Sequence, residues 1–287
     1  TNGNNDNLGD KQHPFRSLYY AMGHVATFGT IHILDGTYRE NSILLNSSVK
    51  IIGNGAKTII DGGASGKPII TITKRDSFLT VKSITFRNGR SDIEKSGGVL
   101  HNYGKVNVTD CKFISNKARG NSSAGAIYST GEVNITNCEF INNTLTHTNA
   151  EGGALRLINN TTNIINSNFT ENRAVATNSS GGGAIYMQDG SLTIKASTFK
   201  SNKATGKTAL GGAIKGIYGN LVVTSTNFKD NVVNGTDYGI GGAINSLATG
   251  VYLNLSTIES NKAYGGVTSA AGALYTQYAA VMAYSSV

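Results

Sequence analysis

The amino-acid sequence predicts an all-β chain folded as a right-handed parallel β-helix. Two observations predict this fold. A repeat of 27 to 30 residues runs through most of the chain, and each repeat holds only short β-type segments between Gly and Asn turns. The composition agrees: Ile, Val and Thr are plentiful, only 15% of residues are charged, and there are 2 Pro. β-branched residues favour strands, whereas disordered chains are usually charged and poor in them.

Each repeat contains a large apolar residue followed three positions later by Asn. The apolar positions are Phe86, Phe113, Phe140, Phe169, Phe199, Phe228 and Ile258. The Asn positions are Asn116, Asn143, Asn172, Asn202, Asn231 and Asn261. In a coil that makes one turn per repeat, equivalent residues stack about 4.8 Å apart. We therefore expect a column of Phe rings inside the coil and a column of Asn at a corner, where Asn tolerates the left-handed backbone conformation.

A second marker, Gly-Gly-Ala-Ile and its variants, precedes a short alternating strand in each repeat. The marker begins at Gly97, Ala124, Gly152, Gly182, Gly211, Gly241 and Ala271. Paired Gly residues provide room where the chain bends sharply or passes close to another backbone. A leucine-rich repeat has a similar length, but its Leu pattern and helical half are missing, and a propeller blade needs about 40 residues.

The repeats divide the chain 1–287, predicted to be a single domain, into three parts. Residues 1–30 form an N-terminal cap, in which Phe15, Leu18, Tyr19 and Met22 have the spacing of an amphipathic helix that follows Pro14. Residues 31–97 form early turns of irregular length, and residues 98–287 form the regular turns. No Phe-x-x-Asn closes the last turn, so we expect the chain to be an N-terminal piece of a longer protein that starts as a mature or excised segment.

Composition limits the classes of partner. The net charge is +8, but Lys and Arg occur singly and no nucleic-acid motif is present, so we expect no nucleic-acid partner. A membrane surface, an acidic glycan and simple solubility all remain open as reasons for the basic charge. No apolar run of 18 residues exists, so no transmembrane segment is predicted. We expect a monomer without a cofactor.

The two cysteines, Cys111 and Cys138, have no metal-ligand spacing. They occupy the same slot of adjacent turns, and stacked Cα atoms about 4.8 Å apart lie within disulfide range. A disulfide bond and two buried free thiols therefore both remain open.

A search for catalytic groups finds one candidate pair. Glu171 and Asp230 each lie two residues after a Phe of the expected column, and they are two turns apart. Two turns correspond to about 9.6 Å, which is at the edge of the carboxylate separation found in inverting glycosidases. Solvated turn carboxylates are the simpler interpretation. The five His residues are dispersed and no cluster of Asp for calcium appears, so we predict no catalytic residue, no metal site and no enzymatic activity.

Two columns of outward side chains are candidate binding sites. The first directly follows the Gly-Gly-Ala-Ile marker, where strand alternation points side chains outward. Its proposed binding residues are Tyr128, Arg156, Tyr186, Lys215 and Tyr275, in a column that also contains His101 and Asn245. The second directly follows the Asn of the expected Asn column in each repeat. Its proposed binding residues are Lys117, Arg173, Lys203 and Lys262, interrupted by Thr144 and Val232. Tyr rings and basic groups suit acidic sugars. Ordinary solvated surface is the alternative for both columns.

The repeated Gly-Gly-Ala-Ile with Phe-x-x-Asn resembles the repeats of chlamydial polymorphic outer membrane proteins. Together with Pro14, Gly36-Thr37-Tyr38 and the Ile-Ile-Gly and Ile-Ile-Asp-Gly strands, the set resembles adhesin-like proteins of methanogenic archaea over about residues 10 to 280. The resemblance implies an extracellular or cell-surface protein that attaches to a glycan or to a surface protein of another cell. A polysaccharide lyase or glycoside hydrolase on the same scaffold and a passive stalk are the alternatives.

Overall fold

A computed structural model describes residues 3–284 and 286 of the chain, so Thr1, Asn2, Ser285 and Val287 at the ends of the predicted domain lie outside the described residues. The described chain is nearly all β and forms the predicted parallel β-helix. Its strands pair in parallel within three sheets of 16, 9 and 8 strands. One turn of the coil passes through the first, second and third sheet in that order.

The strand bounds show how the sheets build up along the chain. The first sheet contains Thr30–His32, Ile43–Leu45, Val49–Ile52, Ile70–Ile72, Phe78–Lys82, Leu100–Asn102, Lys105–Thr109, Ile127–Ser129, Val133–Thr136, Leu155–Ile158, Thr161–Ile165, Ile185–Lys195, Ile214–Thr224, Ile244–Asn254, Leu274–Gln277 and Val281–Tyr284. The second contains Gly36–Arg39, Thr58–Asp61, Thr85–Arg87, Lys112–Ile114, Glu139–Ile141, Asn168–Thr170, Thr198–Lys200, Asn227–Lys229 and Thr257–Glu259. The third contains Arg90–Ser91, Lys117–Ala118, Thr144–Glu151, Arg173–Gly181, Lys203–Leu210, Val232–Ile240, Lys262–Tyr264 and Thr268–Ala270. A 3-10 helix spans Gly55–Lys57.

The predicted Phe column forms the centre of the core. Phe86, Phe113, Phe140, Phe169, Phe199 and Phe228 are all buried and pair in register through the second sheet. Successive rings stack with centroids 4.6 to 5.3 Å apart. Ile60 and Tyr38 continue the column into the early turns. The early turns thus contribute strands to the same first and second sheets, and the third sheet begins at Arg90–Ser91.

The Asn column is buried and bonded from turn to turn. In each turn, the Oδ1 of the next turn's Asn accepts from both the backbone N–H and the Nδ2 of the preceding Asn, as Asn172 does from Asn143 at 3.0 and 2.9 Å. Each Nδ2 also donates to a Phe carbonyl oxygen, as Asn172 does to Phe140 at 2.9 Å. The Asn side chains therefore supply the hydrogen-bond partners that backbone groups at this buried corner would otherwise find in water.

The corner itself differs from the prediction in one detail. The residue before each Asn of the column, and not the Asn itself, has the left-handed conformation, with φ between 53 and 57° in Ser115, Asn142, Glu171, Ser201, Asp230 and Ser260. Asn88, which precedes Gly89 at the same corner, has φ of 52°. The ladder Asn has turned its side chain inward along the stack. The Gly-Gly prediction is confirmed: Gly182 has φ of 59°, and a Cβ on Gly183 would lie 2.1 Å from the carbonyl oxygen of Gly212 in the next turn.

The N-terminal cap contains the predicted helix, but the helix is shorter. It spans Leu18–His24, with Ser17 as N-cap accepting from the Tyr20 N–H at 3.2 Å, and Pro14 lies before it. Leu18 is buried, whereas Tyr19 is exposed. Glu40 accepts hydrogen bonds from the Leu18 and Tyr19 N–H groups at 2.7 and 3.3 Å, and burial raises the pKa of its carboxyl group.

Candidate functional site

The first predicted column forms as a ladder across the first sheet. Parallel pairing aligns His101, Tyr128, Arg156, Tyr186, Lys215, Asn245 and Tyr275 in successive turns. The expectation that these side chains stand on an open surface is wrong for most of them. Tyr128, Arg156, Tyr186 and Lys215 are only 3 to 8% exposed, and Tyr275 in the last turn is half-buried.

A carboxylate that the sequence analysis missed pairs with the two buried cations of this column. Glu151 accepts from Arg156 Nη1 at 2.9 Å and from Lys215 Nζ at 2.7 Å. Lys215 lies two turns further along the coil, and its stem crosses Gly181, where a Cβ would lie 2.2 Å from the Lys215 Cδ. Burial alone would raise the pKa of Glu151, but the charges of Lys215 and Arg156 outweigh it and lower that pKa. We call Glu151, Arg156, Tyr186 and Lys215 the buried clamp.

Aromatic rings complete the surroundings of the clamp. The Arg156 guanidinium lies 4.5 Å from the centroid of the Tyr186 ring, and the Lys215 Nζ lies 5.4 Å from it. Burial raises the pKa of Tyr186, and its hydroxyl donates to Gln188 Oε1 at 3.0 Å. The Arg156 Nη1 and the Lys215 Nζ are thus engaged by the carboxylate and the ring face, whereas the buried Arg156 Nε has no hydrogen-bond partner among the described residues.

His101 lies at the start of the same column, between two Tyr rings. Its ring centroid is 4.4 Å from that of Tyr103 and 5.2 Å from that of Tyr128. Its Nε2 is buried and has no hydrogen-bond partner among the described residues. Burial lowers the pKa of His101 to about 4, so the ring is neutral at physiological pH.

The second predicted column is the exposed one. Pairing through the third sheet aligns Arg90, Lys117, Thr144, Arg173, Lys203, Val232 and Lys262. Lys117, Arg173 and Lys262 are exposed and Lys203 is half-buried. Within residues 3–284 and 286, none of these four cations forms a salt bridge. We call Lys117, Arg173, Lys203 and Lys262 the basic stripe.

Several other lysines of the coil are instead paired with a carboxylate of a neighbouring turn. Lys112 lies 3.0 Å from Glu139 of the next turn, and Lys229 lies 2.8 Å from Glu259. Each such pair stacks a cation on an anion in register, which removes the charge repulsion of a ladder. The basic stripe lacks these counterions, so its positive potential is available to an external ligand.

The candidate catalytic pair occupies the left-handed corner beside the stripe. Glu171 is exposed and Asp230 half-buried, with φ of 57 and 56°. In the described part of the chain, no three His, Cys, Asp or Glu side chains are grouped so that they could hold a metal ion. No helix described there is long and apolar enough to span a membrane.

The two cysteines are buried free thiols in this structure. Their Sγ atoms lie 3.2 Å from the carbonyl oxygens of Thr109 and Thr136, the positions where Ser hydroxyls donate in later turns. Burial raises the pKa of Cys111, as does the neighbouring Cys138. The thiols thus replace hydroxyl donors at this corner.

A cavity of about 1420 Å³ lies between the cap and the first turn. Apolar residues such as Leu18, Val25 and Ile31 line it, and His24 and His32 also contribute. The sequence analysis did not predict this cavity.

Comparison with known proteins gives one local family match and two similar structures. Residues 166–188 match the Chlamydia polymorphic membrane protein (Chlamydia_PMP) repeat, which confirms the predicted resemblance to those repeats. A pectin methylesterase mutant in complex with a hexasaccharide is 12% identical, with 80% of this chain and 79% of that chain covered and a TM-score of 0.47. A rhamnogalacturonan lyase is 13% identical, with 90 and 69% covered and a TM-score of 0.36. No curated protein matches the chain. Identities this low carry no functional argument.

Proposed function

We propose that this chain is a surface-exposed, adhesin-like module that attaches to an acidic glycan of a partner cell without catalysing a reaction. The observation that carries the proposal is the basic stripe, whose four cations have no counterion in the described part of the chain. The match to a repeat of surface proteins supports the exposed location. The resemblance to adhesin-like proteins of methanogens belongs to the same proposal.

The stripe supports binding better than the Tyr and basic column does. In that column Arg156 and Lys215 are buried and already paired with Glu151. Replacing Arg156 would leave a buried carboxylate with one partner fewer, so a loss of binding would report on folding instead of recognition. The basic stripe lies on the surface, where substitution changes charge with little effect on stability.

The test is binding of the chain to immobilised acidic and neutral polysaccharides at low and high ionic strength. The test variant is Arg173→Ala with Lys203→Ala. The control is Lys50→Ala, which removes an exposed cation of the first sheet that forms no salt bridge among the described residues. We expect binding to an acidic polymer that weakens with salt and falls roughly fivefold or more in the test variant only.

Two outcomes would contradict the proposal. Absence of binding to every acidic polymer would leave a passive stalk as the better description. Release of shortened or unsaturated sugar products would instead support a hydrolase or lyase. In that case Glu171→Gln should abolish product release, whereas in a binding module it removes a negative charge beside the stripe and should strengthen binding.

A further inference from the structure

We infer that the ligand is a linear polysaccharide with a negative charge on every sugar, which lies lengthwise along the basic stripe from Lys117 to Lys262. The inference rests on the proposed function and adds the class, direction and charge spacing of the ligand. It follows from the register of the third sheet, which fixes the distance between cations more tightly than their sequence separation does.

The length of the stripe follows from the strand pairing. Lys117 pairs with Thr144, which pairs with Arg173, and the ladder continues through Lys203 and Val232 to Lys262. These five steps of about 4.8 Å give a stripe about 24 Å long, parallel to the axis of the coil. A ligand that contacts all four cations must therefore be an extended chain along this axis.

The two uncharged positions within the stripe determine which spacing of ligand charges matches its cations. Thr144 and Val232 leave cations at distances of about 0, 9.6, 14.4 and 24 Å along the axis. Anions spaced by one strand spacing can face all four cations at once. Anions spaced by two strand spacings can face Lys117 with Arg173, or Lys203 with Lys262, but never both pairs. The stripe therefore favours a polymer that is charged on every sugar over one charged on every second sugar.

The sides of the stripe fix where the chain lies. On the corner side, two residues before Arg173 and Val232, stand the carboxylates of Glu171 and Asp230. On the other side, two residues after the stripe, the residues from the Lys117 turn to the Lys262 turn include no acid: they are Arg119, Thr146, Val175, Thr205, Asn234 and Tyr264. Asp92, one turn before the stripe, is paired with Arg90 at 2.7 Å. Repulsion from the corner thus places a polyanion over the third sheet, where the 50% exposed ring of Tyr264 can stack on a sugar.

The experiment compares two series of oligosaccharides by isothermal titration calorimetry with the full chain. One series is oligogalacturonates, with a carboxylate on every sugar, and the other is hyaluronan oligosaccharides, with a carboxylate on every second sugar. Oligomers are matched in number of carboxylates. We expect affinity for oligogalacturonates to rise with length until the oligomer spans about 24 Å and then to level off. At equal charge number, the hyaluronan series should bind at least tenfold more weakly.

A gain-of-function variant separates the inference from a general attraction of charges. Val232→Lys fills one gap and should strengthen binding of long oligogalacturonates several-fold, whereas the control Thr80→Lys, on the first sheet, should not. If both series bind with equal affinity, or if affinity stops rising at a length far below the stripe, the lengthwise arrangement is wrong while the proposed function stands. If neither series binds, the inference fails, and the proposed function fails with it only when every other acidic polymer is also unbound.

Discussion

Replacing Asn172 with Ala removes four hydrogen bonds from the buried corner of the stack. The Asn172 side chain donates to Phe140 O and Asn202 Oδ1 at 2.9 and 3.0 Å. It accepts from the N–H and Nδ2 of Asn143 at 3.0 and 2.9 Å. Ala offers neither donor nor acceptor, and Asn172 is fully buried, so water does not reach the freed groups.

The expected loss of stability follows from these contacts. The buried backbone N–H of Asn143 loses its acceptor, which costs about 1 to 3 kcal/mol, and each of the other three bonds contributes about 1 kcal/mol. We therefore expect Asn172→Ala to lower the free energy of unfolding by about 5 kcal/mol. The control is Asn163→Ala, where a half-buried amide donates to Asn134 Oδ1 at 2.9 Å and water can replace it. Its cost should stay below about 1 kcal/mol.

Urea unfolding monitored by circular dichroism measures the loss, and hydrogen exchange of the Asn143 amide localises it. Stability in a stacked coil is roughly a sum over turns, so exchange should accelerate first in the turns that contain Asn143 and Asn202. Equal midpoints for the two variants, or unchanged protection of the Asn143 amide, would refute the idea that the Asn column stabilises the stack.

Three further predictions concern buried groups. Glu151→Ala should lower the free energy of unfolding by about 3 kcal/mol because it leaves two buried cations unpaired. Lys215→Met should lower it less, because the carboxylate keeps its Arg156 partner. The reverse order of the two variants in urea unfolding would contradict the role given to the buried clamp. The pKa of Glu151 is lower in the folded chain than in the unfolded chain. The stability that the ionised carboxylate contributes is therefore complete above the unfolded pKa and is lost as pH falls through the folded pKa. The free energy of unfolding of Glu151→Gln, measured against pH, should consequently fall less steeply in acid than that of the unsubstituted chain. Cys111 and Cys138 should react with a thiol reagent only as the chain unfolds, and fast labelling of the native protein would show that the corner is open.

The repeat made most of the fold predictable. Its period and markers placed the Phe column, the Asn column and the register of both candidate binding columns, since equivalent residues of a coil must stack. The backbone conformation at the corners was harder to predict from the sequence. The left-handed residue is the one before the ladder Asn, because the Asn itself turns inward to bond its neighbours. The cap helix begins after Pro14 since Ser17 and Glu40 satisfy its first N–H groups.

Glu151 shows why the exposure of a column was harder to predict. In the third sheet it pairs with Gly181 and then with Leu210 and Ile240, so an acid in an otherwise apolar or small column was the available signal. That signal does not identify Lys215 as a partner, because Lys215 follows Glu151 by 64 residues, whereas Arg156 follows it by only 5.

The sequence by itself determined the parallel β-helix, the vertical alignment of its residues and the spacing of its basic columns, because these depend only on a repeat length and a strand spacing. The tertiary structure alone decided which basic column faces solvent. A long side chain can cross a neighbouring turn where a Gly lacks a Cβ, and an internal carboxylate can then neutralise it. Such contacts depend on distances between turns and on side-chain reach, which a one-dimensional pattern does not contain.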